Sequence, residues 1–213
     1  MSPLNIVSDV VCPWCYIGKR RLDIALTEIR REFPQLELAI HWLPFELNPG
    51  LPPQGMSREE YCVRKFGSLD YANRLYDNVA ANARADGLPI RLDKITVTPN
   101  TKLAHRLIWF AEQQGLSDRT VDELFAGYFV NGENVGDLET LVAIGARAGL
   151  DTATVRTFLT SNDGVEQCTL LTEQAYDSGA QGVPAYLWGE QWLFTGAQSP
   201  ETIAAVLRQQ LNL

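Results

Sequence analysis

No apolar run among the 213 residues approaches the ~20 of a membrane span, so a transmembrane helix is excluded as an expectation. Basic residues are in the minority, 18 against 26 acidic ones for a net charge of −8, which argues against nonspecific binding to nucleic acid or to an anionic membrane. Met1-Ser2-Pro3-Leu4-Asn5 carries neither a basic n-region nor an apolar h-region, and a cytoplasmic location is the expectation. Internal repeats and low-complexity segments are also lacking. Cysteine is scarce: four residues in a reducing compartment do not make a disulfide scaffold.

Two of those four are paired. The stretch Asn5-Ile6-Val7-Ser8-Asp9-Val10-Val11 reads as a strand that runs into Cys12-Pro13-Trp14-Cys15 and then into a helical pattern. A strand that delivers a Cys-x-x-Cys to the first turn of a helix sets the first sulfur beside unpaired N–H groups and the positive end of the helix dipole. Free cysteine titrates near ~8.5, and in such motifs the first sulfur falls to roughly 3.5–7.5. Cys12 is the expected nucleophile and Cys15, one turn further in, the resolving thiol. Pro13 suits the first helical position, and the rigid loop presents Trp14 to solvent or substrate. The alternative is half of a zinc site, which needs about four ligands; Cys62, Cys168, His41 and His105 are scattered without a second paired spacing, and no metal is expected.

After Cys15 the apolar positions Ile17, Leu22, Ala25, Leu26 and Ile29 recur at helical spacing up to Pro34, with Lys19, Arg20 and Arg21 expected on a solvated face. Leu36 to Trp42 alternates as a second strand, and strand–helix–strand with this crossover implies a parallel pair. The Pro- and Gly-rich stretch from Pro44 to Gly55 leaves that unit. Helical patterns follow, capped or stopped at Ser57, Gly67, Asn100-Thr101, Gly132, Asp137, Gly149 and Asp151. The α/β pattern resumes with a helix ending at Gly179, a strand run Gln181–Trp188 containing Val183-Pro184, a return from Gln191 to Phe194, and a last helix capped by Ser199-Pro200. The fold class is therefore α/β with a large all-helical insertion, residues 51–163, between segments 1–50 and 164–213 of the α/β unit.

A Cys-x-x-Cys opening the first helix, together with Gly182-Val183-Pro184 opening a hairpin before a last helix, resembles a thioredoxin-like fold, and the helical insertion resembles the DsbA family. Within it, Ser8 to Gly18, Asn100-Thr101, Ala104-His105-Arg106-Leu107 and Phe194-Thr195-Gly196-Ala197-Gln198 are similar to the FrnE-like oxidoreductases. The dipeptide is Pro-Trp where the periplasmic oxidant has Pro-His. The resemblance implies a cis Pro184 against the sulfurs, Val183 offering its backbone to substrate, and Pro13 and Trp14 beside it. It implies a protein or small-molecule thiol or disulfide as substrate, no organic cofactor, and glutathione as a redox partner or substrate; a homodimer is compatible with it. 2-Hydroxychromene-2-carboxylate isomerase and kappa-class glutathione transferases share the architecture but keep a single serine or cysteine, so Cys15 separates disulfide exchange from their chemistry. A non-catalytic, chaperone-like binding module is a third reading, and would leave binding intact in Cys12→Ser.

The remaining candidates each have two readings. Asp9 is either a general base for Cys15 or a strand-end hydrogen-bond acceptor. His105 either faces the groove above Cys12 or packs within a helix interface, and His41 reads as packing or surface. Cys62 and Cys168 are expected to be inert buried thiols, with a second redox pair as the alternative. Trp109, Phe110, Phe125, Tyr128 and Phe129 fall at helical spacing and read as core rather than substrate wall.

Overall fold

The strand β1 (Leu4–Ser8) alternates: Leu4 and Ile6 pack into the larger core and Val7 into a smaller cluster on the other face. In the computed structural model, residues 2–177, 179–180 and 182–213 are described; Met1 and Gln181, the head of the expected strand run, lie outside them. β1 ends three residues earlier than the apolar run suggests. Asp9 opens a turn closed by the Cys12 N–H on its carbonyl at 3.0 Å, and α1 (Pro13–Glu32) begins at once.

β2 (Ile40–Pro44) pairs parallel with β1, Leu4 opposite Ile40 and Ser8 opposite Pro44. The expected second strand began at Leu36. Pairing starts at Ile40 because β1 itself offers no paired residue before Leu4.

The segment that follows carries β3 (Met56–Ser57), α2 (Arg58–Phe66), α3 (Leu69–Ala85), β4 (Val97–Thr98), α4 (Lys102–Glu112), α5 (Ser117–Ala126), α6 (Leu138–Ala148) and α7 (Thr152–Thr160). It is not wholly helical: β3 and β4 pair antiparallel, Met56 opposite Thr98. Two residues per strand are too short for alternation to register in sequence. Gly55 makes the approach feasible, since a Cβ there would lie 2.5 Å from the Thr98 carbonyl oxygen, at a φ of +74°. The helix expected to run to Gly132 changes to a π turn over Gly127–Asn131.

α8 (Val165–Asp177) returns the chain to the sheet, where β5 (Ala185–Trp188) pairs antiparallel with β1 and β6 (Gln191–Thr195) with β5, giving the order β2-β1-β5-β6. α9 (Pro200–Leu211), capped by the Ser199 hydroxyl, packs with α1 on one face of the sheet. Ala175 of α8 joins Val7, Ala185 and Leu187 on the other. The larger core runs on from the α1/α9 face into the helical segment. Tyr16 of α1 stacks on Phe125 and Phe129 at 5.2 and 5.6 Å between centroids. Phe125, Tyr128 and Phe129 are buried core, while Trp109 and Phe110 are half-buried against Phe158.

Candidate active site

Cys12 occupies the N-cap position of α1 with extended backbone, and its carbonyl accepts the first helical bonds from the Cys15 and Tyr16 N–H groups at 3.0 and 3.3 Å. Pro13 follows, where a missing N–H costs nothing. Both thiols are free and buried, 5% and 1% exposed, with the sulfurs 3.5 Å apart. The two are not equivalent. Burial pushes the Cys15 thiol well above its ordinary value, and the neighbouring Cys12 sulfur adds to the push; the Ser8 hydroxyl and the Asp9 backbone oppose it.

The opposite wall is the Val183-Pro184 loop. The Val183–Pro184 peptide bond is cis, Pro184 is buried, and the Val183 carbonyl lies 3.6 Å from Cys12 Sγ. The Pro184 carbonyl is held by the Gly196 N–H at 2.7 Å, at the end of β6. Gly18, one turn beyond Cys15, lets α1 seat against this loop: a Cβ there would meet Tyr186 Oη at 2.7 Å and Pro184 Cγ at 3.0 Å.

Behind the sulfurs, Asp9 is fully buried. Its Oδ2 accepts from the Leu47 N–H at 2.8 Å and its Oδ1 from the Val11 N–H at 3.5 Å. His105, also buried, sets Nε2 3.1 Å from the Phe45 carbonyl and 3.5 Å from Asp9 Oδ1. A carbonyl only accepts, so Nε2 carries the proton. Glu46 borders this group, and burial raises its carboxyl above the ordinary range.

On the solvent side Cys12, Pro13, Trp14 and Val183 line a groove of about 450 Å³, closed across by Arg58 and Tyr76 of the helical segment. Trp14 is 36% exposed at its rim. The two sulfurs, the loop carbonyl and the groove thus form one site.

A sequence profile of the DSBA-like thioredoxin domain matches residues 3–208. The chain belongs to this family. Across its full length it is 29% identical to a probable DsbA oxidoreductase of Streptomyces coelicolor, covering 91% of that chain at a TM-score of 0.89. It shares the fold of the cytosolic disulfide reductase DsbM of Pseudomonas aeruginosa, solved with GSH, at 20% identity over 99% of this chain and 100% of that one, TM-score 0.71. A 2-hydroxychromene-2-carboxylate isomerase shares it as well, at 18% identity, 98% of each chain and a TM-score of 0.70.

Other positions of this DSBA-like domain lie apart from the sulfurs. His41 is half-buried, with Nδ1 against Glu112. Cys62 packs with Tyr61 and Ala72, whereas Cys168 lies beside the cavity of His105, so the structure does not bring them together. Burial pushes the Cys168 thiol up to about 11, with Arg106 opposing. Among the described residues no group of three His, Cys, Asp or Glu side chains is disposed to hold a metal.

Lys19 is a correction: it is 3% exposed, not on a solvated face, and its Nζ reaches Asp23, Asp118 and Asp122 at 2.9–3.3 Å. α1 is covered on that side by α5, so a cation there needs partners across the interface. Arg21 is likewise half-buried, on Asp86 and the Ala197 carbonyl. Arg58 on the groove and Gly18 against the Pro184 loop are parts of the site to which sequence reading gave no role. Their signals are long-range contacts, which local periodicity does not encode.

Proposed function

We propose that this DSBA-like domain is a thiol–disulfide oxidoreductase of the FrnE-like kind, with Cys12 as nucleophile and Cys15 as resolving thiol. The observation that carries this reading is a pair of free sulfurs 3.5 Å apart at the start of α1, with the more buried one behind. The Cys12 thiolate attacks one sulfur of a substrate disulfide, the bond between the substrate sulfurs breaks, and one substrate thiolate leaves. Cys15 then gives up its proton and attacks the Cys12 sulfur. The mixed disulfide breaks, Cys12–Cys15 forms, and the second substrate thiol departs: the substrate gains two electrons and the protein loses two. The reverse sequence oxidises a dithiol.

Pro13 and Trp14 flank the attacked sulfur, and Val183, with Pro184 behind it, offers backbone to an extended substrate. No metal or organic cofactor enters these steps. Protein or small-molecule disulfides fit the scheme, glutathione among them as a mixed-disulfide partner, in a cytoplasmic setting. The isomerase fold neighbour supports a second reading, glutathione-dependent isomerisation at a single thiol, which predicts turnover largely intact in Cys15→Ser.

Equilibrium titration of the pair in glutathione buffers, read by alkylation and mass, separates the two. Reversible cycling between a dithiol and an internal disulfide, at a potential comparable with thioredoxin (about −270 mV) or glutaredoxins (about −200 to −230 mV), supports the oxidoreductase and gives its direction. A lasting glutathione adduct on Cys12 with no internal disulfide defeats it.

A further inference from the structure

The groove over Cys12 has a charge opposite to that of the molecule. The chain carries a net charge of −8, yet the groove is lined by Arg58, Lys65 and Arg74 and by no Asp or Glu. None of the three has a carboxylate partner among the described residues: Lys65 donates to Tyr61 Oη at 2.6 Å, and Arg74 lies over the Tyr71 ring at 5.7 Å.

Arg58 is the informative one. Its guanidinium is stacked over Tyr76 at 4.5 Å and Tyr61 at 5.4 Å, with Nη1 3.4 Å from Thr98 Oγ1. The rings fix the plane of the fork while most of its five N–H donors remain unused. A half-buried cation without a counter-ion costs free energy that a well-placed anion would recover. At about 450 Å³ the groove is of small-molecule size, within the ~300–1,000 Å³ of such sites, and its Tyr61, Phe66 and Tyr76 side chains give it an apolar wall.

We propose that Arg58 is a specificity residue that receives the carboxylate of a low-molecular-weight disulfide while Cys12 attacks its sulfur. This rests on the oxidoreductase reading and assigns its substrate class. The carboxylate takes the free edge of the guanidinium in a forked pair, Lys65 and Arg74 add attraction at the rim, and the chain between carboxylate and sulfur lies along the aromatic wall.

The test uses the full-length reduced chain in single-turnover reactions with dithiodipropionate, hydroxyethyl disulfide and cystamine, which differ in a carboxylate, hydroxyl or ammonium end. Each event converts the Cys12 and Cys15 thiols to their disulfide and releases two small thiols, so no external reductant is needed. Rates are divided by those of the same disulfides with dithiothreitol to remove intrinsic reactivity. The expected order is carboxylate, hydroxyl, ammonium. Arg58→Gln is expected to cut the carboxylate-to-ammonium ratio by about tenfold, the scale of one charge-assisted hydrogen bond. Arg58→Lys should retain part of that ratio, and Arg156→Gln, which removes an exposed cation on α7, should leave it unchanged.

A flat or inverted order overturns the proposal, as does a carboxylate-to-ammonium ratio that Arg58→Gln leaves unchanged. If no internal disulfide forms with any of the three, the oxidoreductase reading itself has failed. The subsite is then judged by calorimetric binding of S-methyl-mercaptopropionate against its methyl ester: preference for the free acid, lost in Arg58→Gln, keeps the carboxylate site, and equal binding removes it.

Discussion

Cys12 and Cys15 are the same residue type three positions apart, and their surroundings make them chemically distinct. Burial, and then the neighbouring sulfur, hold Cys15 as a thiol, so Cys12 should be the first to react with iodoacetamide at neutral pH, mapped by peptide mass. Cys15→Ser is expected to accumulate a mixed disulfide on Cys12 with a substrate disulfide, seen as a stable mass adduct, because no second sulfur is within reach. Cys168 makes a pH prediction. Its folded value is raised to about 11 from an ordinary 9.0, so the stability it contributes is fully present below pH 9 and is lost as pH rises through 11. At ~1.4 kcal/mol per pH unit this is on the order of 2–3 kcal/mol. The urea midpoint of the reduced chain should fall accordingly between pH 8 and pH 11, and Cys168→Ala should flatten that fall. The cysteine pair was legible in sequence because its members are joined by one helical turn. The setting of Asp9 was not: its partners Leu47 and His105 are 38 and 96 positions away, and nothing in Ser8-Asp9-Val10 reports that the carboxylate is sealed from water.

At the scale of elements, α1 meets the Pro184 loop through a single missing side chain. Gly18→Ala would place a carbon within 2.7 Å of Tyr186 Oη and 3.0 Å of Pro184 Cγ, so either the loop or the helix must shift. Overpacking of this kind costs roughly 1–3 kcal/mol. The variant should unfold at lower urea and show an altered Cys12 alkylation rate, whereas Gly50→Ala, with open space around it, should leave that rate as it is. Elements marked by their own caps were readable from sequence: Ser57 with Gly67, Asp137 with Gly149, and Ser199 before Pro200 all cap or stop helices as expected. The parallel pairing of β1 with β2 and the β5–β6 hairpin were readable from period and connection length. Elements defined by a partner were not. The β3–β4 pair exists because Gly55 admits the Thr98 carbonyl, and β2 begins where β1 begins, not where its own alternation does.

For the whole molecule, Lys19 ties α1 to α5. Burial alone would lower its ammonium, but Asp118, Asp122 and Asp23 outweigh that, and its net shift is upward. The stability this gives is complete below the ordinary lysine range near ~10.4 and is lost as pH rises past it through the folded value. Asp23 and Asp122 are raised by burial despite the lysine, so keeping them ionised costs a little at neutral pH. Lys19→Met keeps the apolar stem and leaves three carboxylates facing one another. With their side chains 39–51% exposed, the loss should be about 1–2 kcal/mol, below the ~3–5 of a fully buried pair. Calorimetry should show a lower Tm at pH 7 and a smaller deficit at pH 4, where the carboxylates begin to protonate. Gly18 and Lys19 are adjacent in sequence, one fastened to the Pro184 loop and the other to α5. Amide protons in the body of α1 should accordingly exchange with deuterium only when the entire molecule opens, so that the sulfurs at its head are held by the global stability of the fold and not by a local one.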